Sequence, residues 1–127
     1  MFVLSRYTQN MEILTSYEKE QRPWGNFERF TLNEKTTVKI ITVEANESLS
    51  LQKHNNRSEF WKILSGSGIV TIGQEKIEAG KGDTFTISSH VEHRITAKEE
   101  NFVILEIAFG NFDETDIERL DDKYGRS

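Results

Sequence analysis

The 127-residue chain has no cysteine, three histidines and one proline, and its 16 basic against 21 acidic side chains leave a formal charge of −5. A chain of this size makes one domain and buries roughly two-thirds of its unfolded surface, enough for one core and one pocket. The missing cysteines exclude disulfides, thiolate zinc centres and cysteine nucleophiles, and the acidic balance argues against a nucleic-acid partner while leaving a locally basic pocket open.

In chain order, residues 1–20 are mixed and polar, with apolar residues at Met11, Ile13 and Leu14. They read as an N-terminal extension, a strand or short helix laid on the body or on a second copy in a homodimer. The apolar run at Phe2–Leu4 is too short for a signal-peptide core. No later stretch approaches the roughly 18 to 20 apolar residues of a membrane span. A cytoplasmic protein without a membrane partner is therefore expected. Residues 21–127 read as one domain.

Short runs rich in Val, Ile, Thr and Phe then follow one another: Thr36–Val43, Leu49–His54, Glu59–Leu64, Ile69–Ile72, Thr84–Ile87, His93–Thr96 and Phe102–Phe109. Glycine and asparagine turns separate them, and no long helical pattern intervenes. That spacing predicts an all-β sandwich or barrel. In the last run Val103, Leu105 and Ile107 share one strand face and Glu106 the other. After Gly110, the acidic start at Asp113 and the apolar positions Ile117, Leu120 and Tyr124 predict a short amphipathic C-terminal helix.

The stretch from Asn46 to Ala97 resembles the two linear signatures of cupins, small double-stranded β-helix (jelly-roll) barrels. The first is a leading Gly, five residues, His-x-His, three or four residues, Glu, six residues and Gly. Here Asn46, Gln52, His54, Glu59 and Gly66 stand at those intervals. Asn suits the leading position because it enters left-handed turns more readily than most residues. The second signature places Gly82 and His93 at its glycine-to-histidine distance, with Ser88 and His90 in its turn Pro and Gly positions and Ala97 in place of the final Asn.

Gln52 and His54, two apart on a strand, project to one face. Glu59 opens the next strand and His93 comes from a third. A Gln oxygen, two imidazoles and a carboxylate make a mixed N/O set suited to a divalent metal ion, zinc first, with manganese, iron or nickel as alternatives. The competing reading of any one strand histidine is a surface or hydrogen-bonded residue. His90 reads as a loop residue.

Four further motifs are similar to the C-terminal domain of type II mannose-6-phosphate isomerases, which commonly occur as bifunctional mannose-6-phosphate isomerase/mannose-1-phosphate guanylyltransferases. They are Arg22-Pro-Trp-Gly25, Leu49-Ser-Leu-Gln-Lys-His54, Arg57-Ser-Glu59-Phe-Trp61 and Asp116 through Arg126. The resemblance runs from about Tyr17 to Arg126 and leaves no room for a nucleotidyltransferase domain, so a stand-alone chain is expected. The family usually reads Gln-x-His-His-His-Arg-Ala-Glu-His-Trp, whereas this chain has Asn55, Asn56 and Phe60 at the last three histidine positions. The ligand set Gln52, His54, Glu59 and His93 also looks like the zinc set of type I mannose-6-phosphate isomerases.

The resemblance implies isomerisation of a small-molecule sugar phosphate, mannose 6-phosphate to fructose 6-phosphate, by metal-assisted enediol chemistry. Arg57, the motif arginine, is then a catalytic and substrate-binding candidate for phosphate or enediolate. Lys39, in the Val-Lys-x-Ile-Thr-Val strand, is a second phosphate candidate. Both also fit a solvated strand charge. The general base stays open, with Glu92 and His90 as candidates. Trp24 and Trp61 read as core or pocket-wall residues. The alternatives are a cupin isomerase or epimerase on another phosphorylated or nucleotide-linked sugar, and a non-catalytic sugar-binding partner subunit.

Overall fold

The structure, a computed structural model, describes residues 13–126. Its strands are β1 (Glu18–Arg22), β2 (Gly25–Arg29), β3 (Thr36–Val43), β4 (Leu51–Lys53), β5 (Arg57–Ser65), β6 (Ser67–Ile72), β7 (Glu75–Gly80), β8 (Thr84–Ile87), β9 (His93–Ala97), β10 (Phe102–Gly110) and β11 (Glu118–Asp121). A four-stranded sheet runs β3-β10-β5-β8 and a five-stranded sheet β11-β4-β9-β6-β7, with β1 and β2 paired as a separate hairpin. All of these pairings are antiparallel. This is the all-β, cupin-type barrel expected from the sequence.

Alternation explains the layering. Trp61, Ile63, Phe85, Phe102 and Ile104 of the four-stranded sheet meet Val70, Ile72 and Ile95 of the five-stranded sheet in one buried cluster. The other face of the four-stranded sheet is apolar as well. There Phe60, Ile107 and Phe109 pack with Leu14, and Ile13, Tyr17, Phe30 and Leu105 flank them. Residues 13–30 thus cover the domain's own outer face, and their hairpin crosses residue 20. The part of the expected homodimer contact that falls on residues 1–12 lies outside the described residues.

The expected C-terminal helix is not formed. Residues 118–121 extend as β11 along β4, pairing Glu118 with Lys53 and Arg119 with Gln52. Three apolar residues over the twelve from Asp113 to Tyr124 give a helix of that length little to bury, and short isolated helices are marginal in water. The sheet instead offers the open edge of β4. Asp116 pins the entry, because its carboxylate accepts the amides of Asn55 and Asn56 at 2.9 and 2.8 Å. Among the described residues no helix is long and apolar enough to cross a membrane.

Two non-glycine residues occupy left-handed backbone at positions the cupin signatures give to glycine: Asn46 at φ 65° and His90 at φ 71°. The backbone requirement has outlived the glycine. His90 remains an exposed turn residue whose amide donates to the His54 carbonyl at 2.7 Å.

Candidate metal centre

Three strands deliver the site. The inward positions of β5 are Arg57, Glu59, Trp61 and Ile63, so the strand changes from charged to apolar along its length. His93 opens β9, and His54 follows β4 directly. Donor atoms of His54, Glu59 and His93 all lie within 4.8 Å of one another, and each side chain is at most 4% exposed. The two imidazole centroids are 5.0 Å apart, and the Trp61 ring meets His93 edge-on at 5.5 Å.

The hydrogen bonds fix which nitrogens face inward. His54 Nδ1 lies 2.6 Å from the Asp116 carbonyl, and His93 Nδ1 lies 2.9 Å from the Val91 carbonyl. A carbonyl only accepts, so both Nδ1 atoms carry hydrogen and, in the neutral rings, both Nε2 atoms present lone pairs. The Nε2 atoms stand 3.5 and 3.8 Å from the two Glu59 oxygens. Nε2 of His93 is buried without a hydrogen-bond partner. A buried lone pair of that kind carries a desolvation penalty that a bound cation removes. Imidazoles tied through Nδ1 to backbone carbonyls are the usual arrangement around metals.

Electrostatics keeps Glu59 an anion. Burial alone would raise its pKa, but attraction to His93 and His54 when they carry a proton, and to the permanently charged, hydrogen-bonded Arg57 guanidinium, holds it below the ordinary carboxylate value. Arg57 Nε donates to one oxygen at 2.9 Å and Trp61 Nε1 to the other at 3.0 Å. Burial lowers the His93 pKa, which keeps the ring neutral. The donor set therefore fits a divalent metal: two imidazoles tied back through Nδ1 and one carboxylate, in an enclosure without thiolate.

Gln52 pairs with His93 across β4 and β9, so the two side chains share a face; its Oε1 accepts from Ser50 Oγ at 3.4 Å. Arg57 reaches the cluster directly, with Nη2 3.1 Å from His54 Nε2. Lys39 stands outside it. Its ammonium lies 4.5 Å from the Phe112 ring centroid, and the Arg57 guanidinium lies 4.4 Å from the same centroid. His90 and Glu92 are not members of the cluster. Phe60, at a family histidine position, faces the outer apolar layer, and Asn55 and Asn56 are exposed loop residues.

Glu106 enters the site unannounced. It is 5% exposed, its Oε1 has no hydrogen-bond partner, and it sits across from Lys39 and Trp61 in the sheet. Burial first, and then the negative charge of Glu59, push its pKa up to about 7. The signal was present in the sequence as the face shared with Phe102, Ile104 and Ala108. Phe112 and Asp116 gave no such signal, because their roles depend on where the chain turns after β10.

A family model described as mannose-6-phosphate isomerase C-terminal matches residues 9–122. The chain belongs to this family. It is 34% identical over 115 residues to the xanthan biosynthesis protein XanB of Xanthomonas campestris pv. campestris, covering 89% of this chain and 25% of that one. It is 33% identical to the mannose-1-phosphate guanylyltransferase ManC of Salmonella typhimurium over 107 residues, 83% of this chain and 22% of that one. The chain thus spans about a quarter of the length of these curated relatives. Its fold is shared with NovW, a 4-keto-6-deoxy sugar epimerase of Streptomyces spheroides, at a TM-score of 0.63 and 8% identity over 81% of this chain and 65% of that one.

Proposed function

We propose that this domain isomerises mannose 6-phosphate and fructose 6-phosphate, with a divalent metal, zinc first, held by His54, Glu59 and His93 and completed by Gln52. The observation that carries the reading is the buried convergence of two imidazole lone pairs on one ionised carboxylate. A metal bound there supplies a Lewis acid for a sugar carbonyl and its developing oxyanion. Arg57, with its guanidinium against His54 and Glu59, orients the oxygens of the enediolate. Lys39, near the outside, takes the phosphate as a point charge. Asp116 and Val91 hold the two imidazoles in the tautomer that faces the donor cluster. The relatives' names place them in polysaccharide and nucleotide-sugar synthesis, which supports a small-molecule sugar phosphate as the ligand. A cytoplasmic homodimer completes the reading, and light scattering in solution tests the dimer.

The decisive test is metal analysis of the purified protein together with a coupled fructose-6-phosphate assay. Bound metal near one equivalent and turnover that His54→Ala and His93→Ala both abolish are the expected results. Metal without turnover supports a second reading, an isomerase or epimerase for another phosphorylated or nucleotide-linked sugar. Asn55, Asn56 and Phe60 at family histidine positions favour it, because outer groups typically change affinity or activity by roughly 10- to 100-fold. A protein with neither metal nor turnover is a sugar-binding partner subunit.

A further inference from the structure

The proposed centre is sealed: His54, Glu59 and His93 are at most 4% exposed and Arg57 is 8% exposed. A sugar phosphate can reach it only if part of the cover moves. Residues 111–117, between β10 and β11, lie across Arg57 and Lys39 without strand pairing. The segment begins at Gly110, where φ is 103° and a Cβ would stand 2.6 Å from the Asn56 carbonyl oxygen, so a side chain is excluded. It ends at Asp116, fixed by the amides of Asn55 and Asn56.

Between these two posts the contacts are made by side chains and single hydrogen bonds. The Phe112 ring holds both the Lys39 ammonium and the Arg57 guanidinium, at 4.5 and 4.4 Å from its centroid. Arg57 Nη1 donates to the Asp113 carbonyl at 3.4 Å. Glu114 accepts from Lys39 Nζ at 3.3 Å, and its side chain is 76% exposed. Beyond Phe112 lies a hollow of about 390 Å³ lined by Lys35, Thr36, Thr37, Gly110, Asn111 and Phe112. That volume is in the range of ligand pockets, roughly 300 to 1,000 Å³. Thr37 and Lys39 stand two apart on one face of β3, so the hollow and the ammonium are neighbours along the strand.

We propose that residues 111–115 are a gate over an anion subsite at Lys39, in which Phe112 fills and Glu114 neutralises the place taken by the phosphate of a sugar phosphate. The inference rests on the sugar-phosphate reading and adds the groups that control entry. Glu114 is a one-charge stand-in for a phosphate monoester, which carries close to two charges at neutral pH. An exposed ion pair holds weakly against such a competitor. Displacing Glu114 frees Lys39, and moving Phe112 connects the hollow to Arg57 and the buried donors behind it. The hydroxyl of Thr37, on the Lys39 face of β3, then offers a polar partner for the ligand.

Titration calorimetry of the full chain with mannose 6-phosphate, inorganic phosphate and mannose tests this, with thermal melts as the check on folding. Lys39→Met is expected to weaken both phosphate ligands tenfold or more and to leave mannose unchanged. Glu114→Gln, a change on the surface, is expected to tighten both by about two- to fivefold, the size of an exposed ion pair. Phe112→Ala is expected to tighten mannose 6-phosphate as well. Phosphate affinities unchanged within twofold in Lys39→Met and Glu114→Gln, with unchanged melts, overturn the gate, as does the absence of any phosphate binding in the parent chain. Binding that responds as expected without turnover sinks the isomerase and leaves the gate. Turnover with unresponsive affinities does the reverse.

Discussion

The two ends of the barrel are built from the same strands and obey opposite rules. Towards one end the inward residues of β5, β9 and β10 are Ile63, Ile95 and Ala97, and Phe102 and Ile104, all at most 5% exposed. Towards the other they are Arg57 and Glu59, His93, and Glu106, all at most 8% exposed. The apolar end is stable because nothing in it needs a partner. The polar end persists because nearly everything in it has one: Glu59 holds Arg57 and Trp61, and each imidazole holds a backbone carbonyl. The polar atoms left over, Nε2 of His93 and Oε1 of Glu106, mark where an external ligand improves on the protein alone.

Breaking each end in turn separates stability from binding. Phe102→Ala is expected to cost about 3 to 5 kcal/mol, the usual range for emptying a buried aromatic site. Metal stoichiometry, where the fold survives, should not change. Glu59→Gln removes the anion between Arg57 and the histidines. It is expected to cost about 3 to 5 kcal/mol, because the buried guanidinium loses its counter-charge, and to abolish metal binding as well. Urea unfolding and elemental analysis of both variants check this contrast. Equal metal content in the two would erase the distinction between the ends.

The two carboxyls of the polar end respond to pH in opposite senses. Glu106, raised to about 7, keeps its proton in the folded chain over a range where the unfolded chain has lost it. Its contribution is therefore complete below the ordinary carboxylate value and is lost as pH rises through about 7. From an ordinary value of 4.5 to about 7 the difference corresponds to roughly 3 kcal/mol. Glu59, held low, contributes above the ordinary value and loses that contribution as pH falls. In chelator-treated protein, Glu106→Gln should flatten the decline of stability between about pH 5 and pH 7 and leave the acid limb in place. An unchanged decline would mean that another group carries it.

The division between the ends also explains what the sequence made legible. Alternation and turn residues were enough for β3 and β8, whose ends match the expected runs residue for residue, and the donor spacing was enough to gather His54, Glu59 and His93. Those are local regularities, with a period of two along one strand or a fixed count across one turn. β7 escaped because its inward positions are only Ile77 and Ala79 among charged neighbours, too few to read as a strand. Glu106 was placed on the correct alternate face, yet which face of β10 is interior depends on what covers the other. Leu14 and Phe30 cover it from far away in the chain. The C-terminal helix was misread for the same reason: the open edge of β4 and the amides of Asn55 and Asn56 are tertiary partners with no trace in a helical periodicity.

The smallest expected effect comes from two turns, His90 beside the polar end and Asn46 beside the apolar end. His90 holds φ 71° and Asn46 φ 65° where the cupin signatures carry glycine. A left-handed residue with a Cβ costs about 1 to 2 kcal/mol, less for Asn, whose short side chain is tolerated there. Glycine relieves that strain but widens the unfolded ensemble, by about 0.4 to 1 kcal/mol on the usual scale. The balance predicts that His90→Gly stabilises by roughly 0.5 kcal/mol, and that Asn46→Gly is neutral within about half that. His90 is exposed and outside the donor cluster, so the gain should come with unchanged metal content. A His90→Gly variant that loses metal would instead show that the His90 amide, bonded to the carbonyl of His54, must be held by this side chain for the imidazole to keep its place.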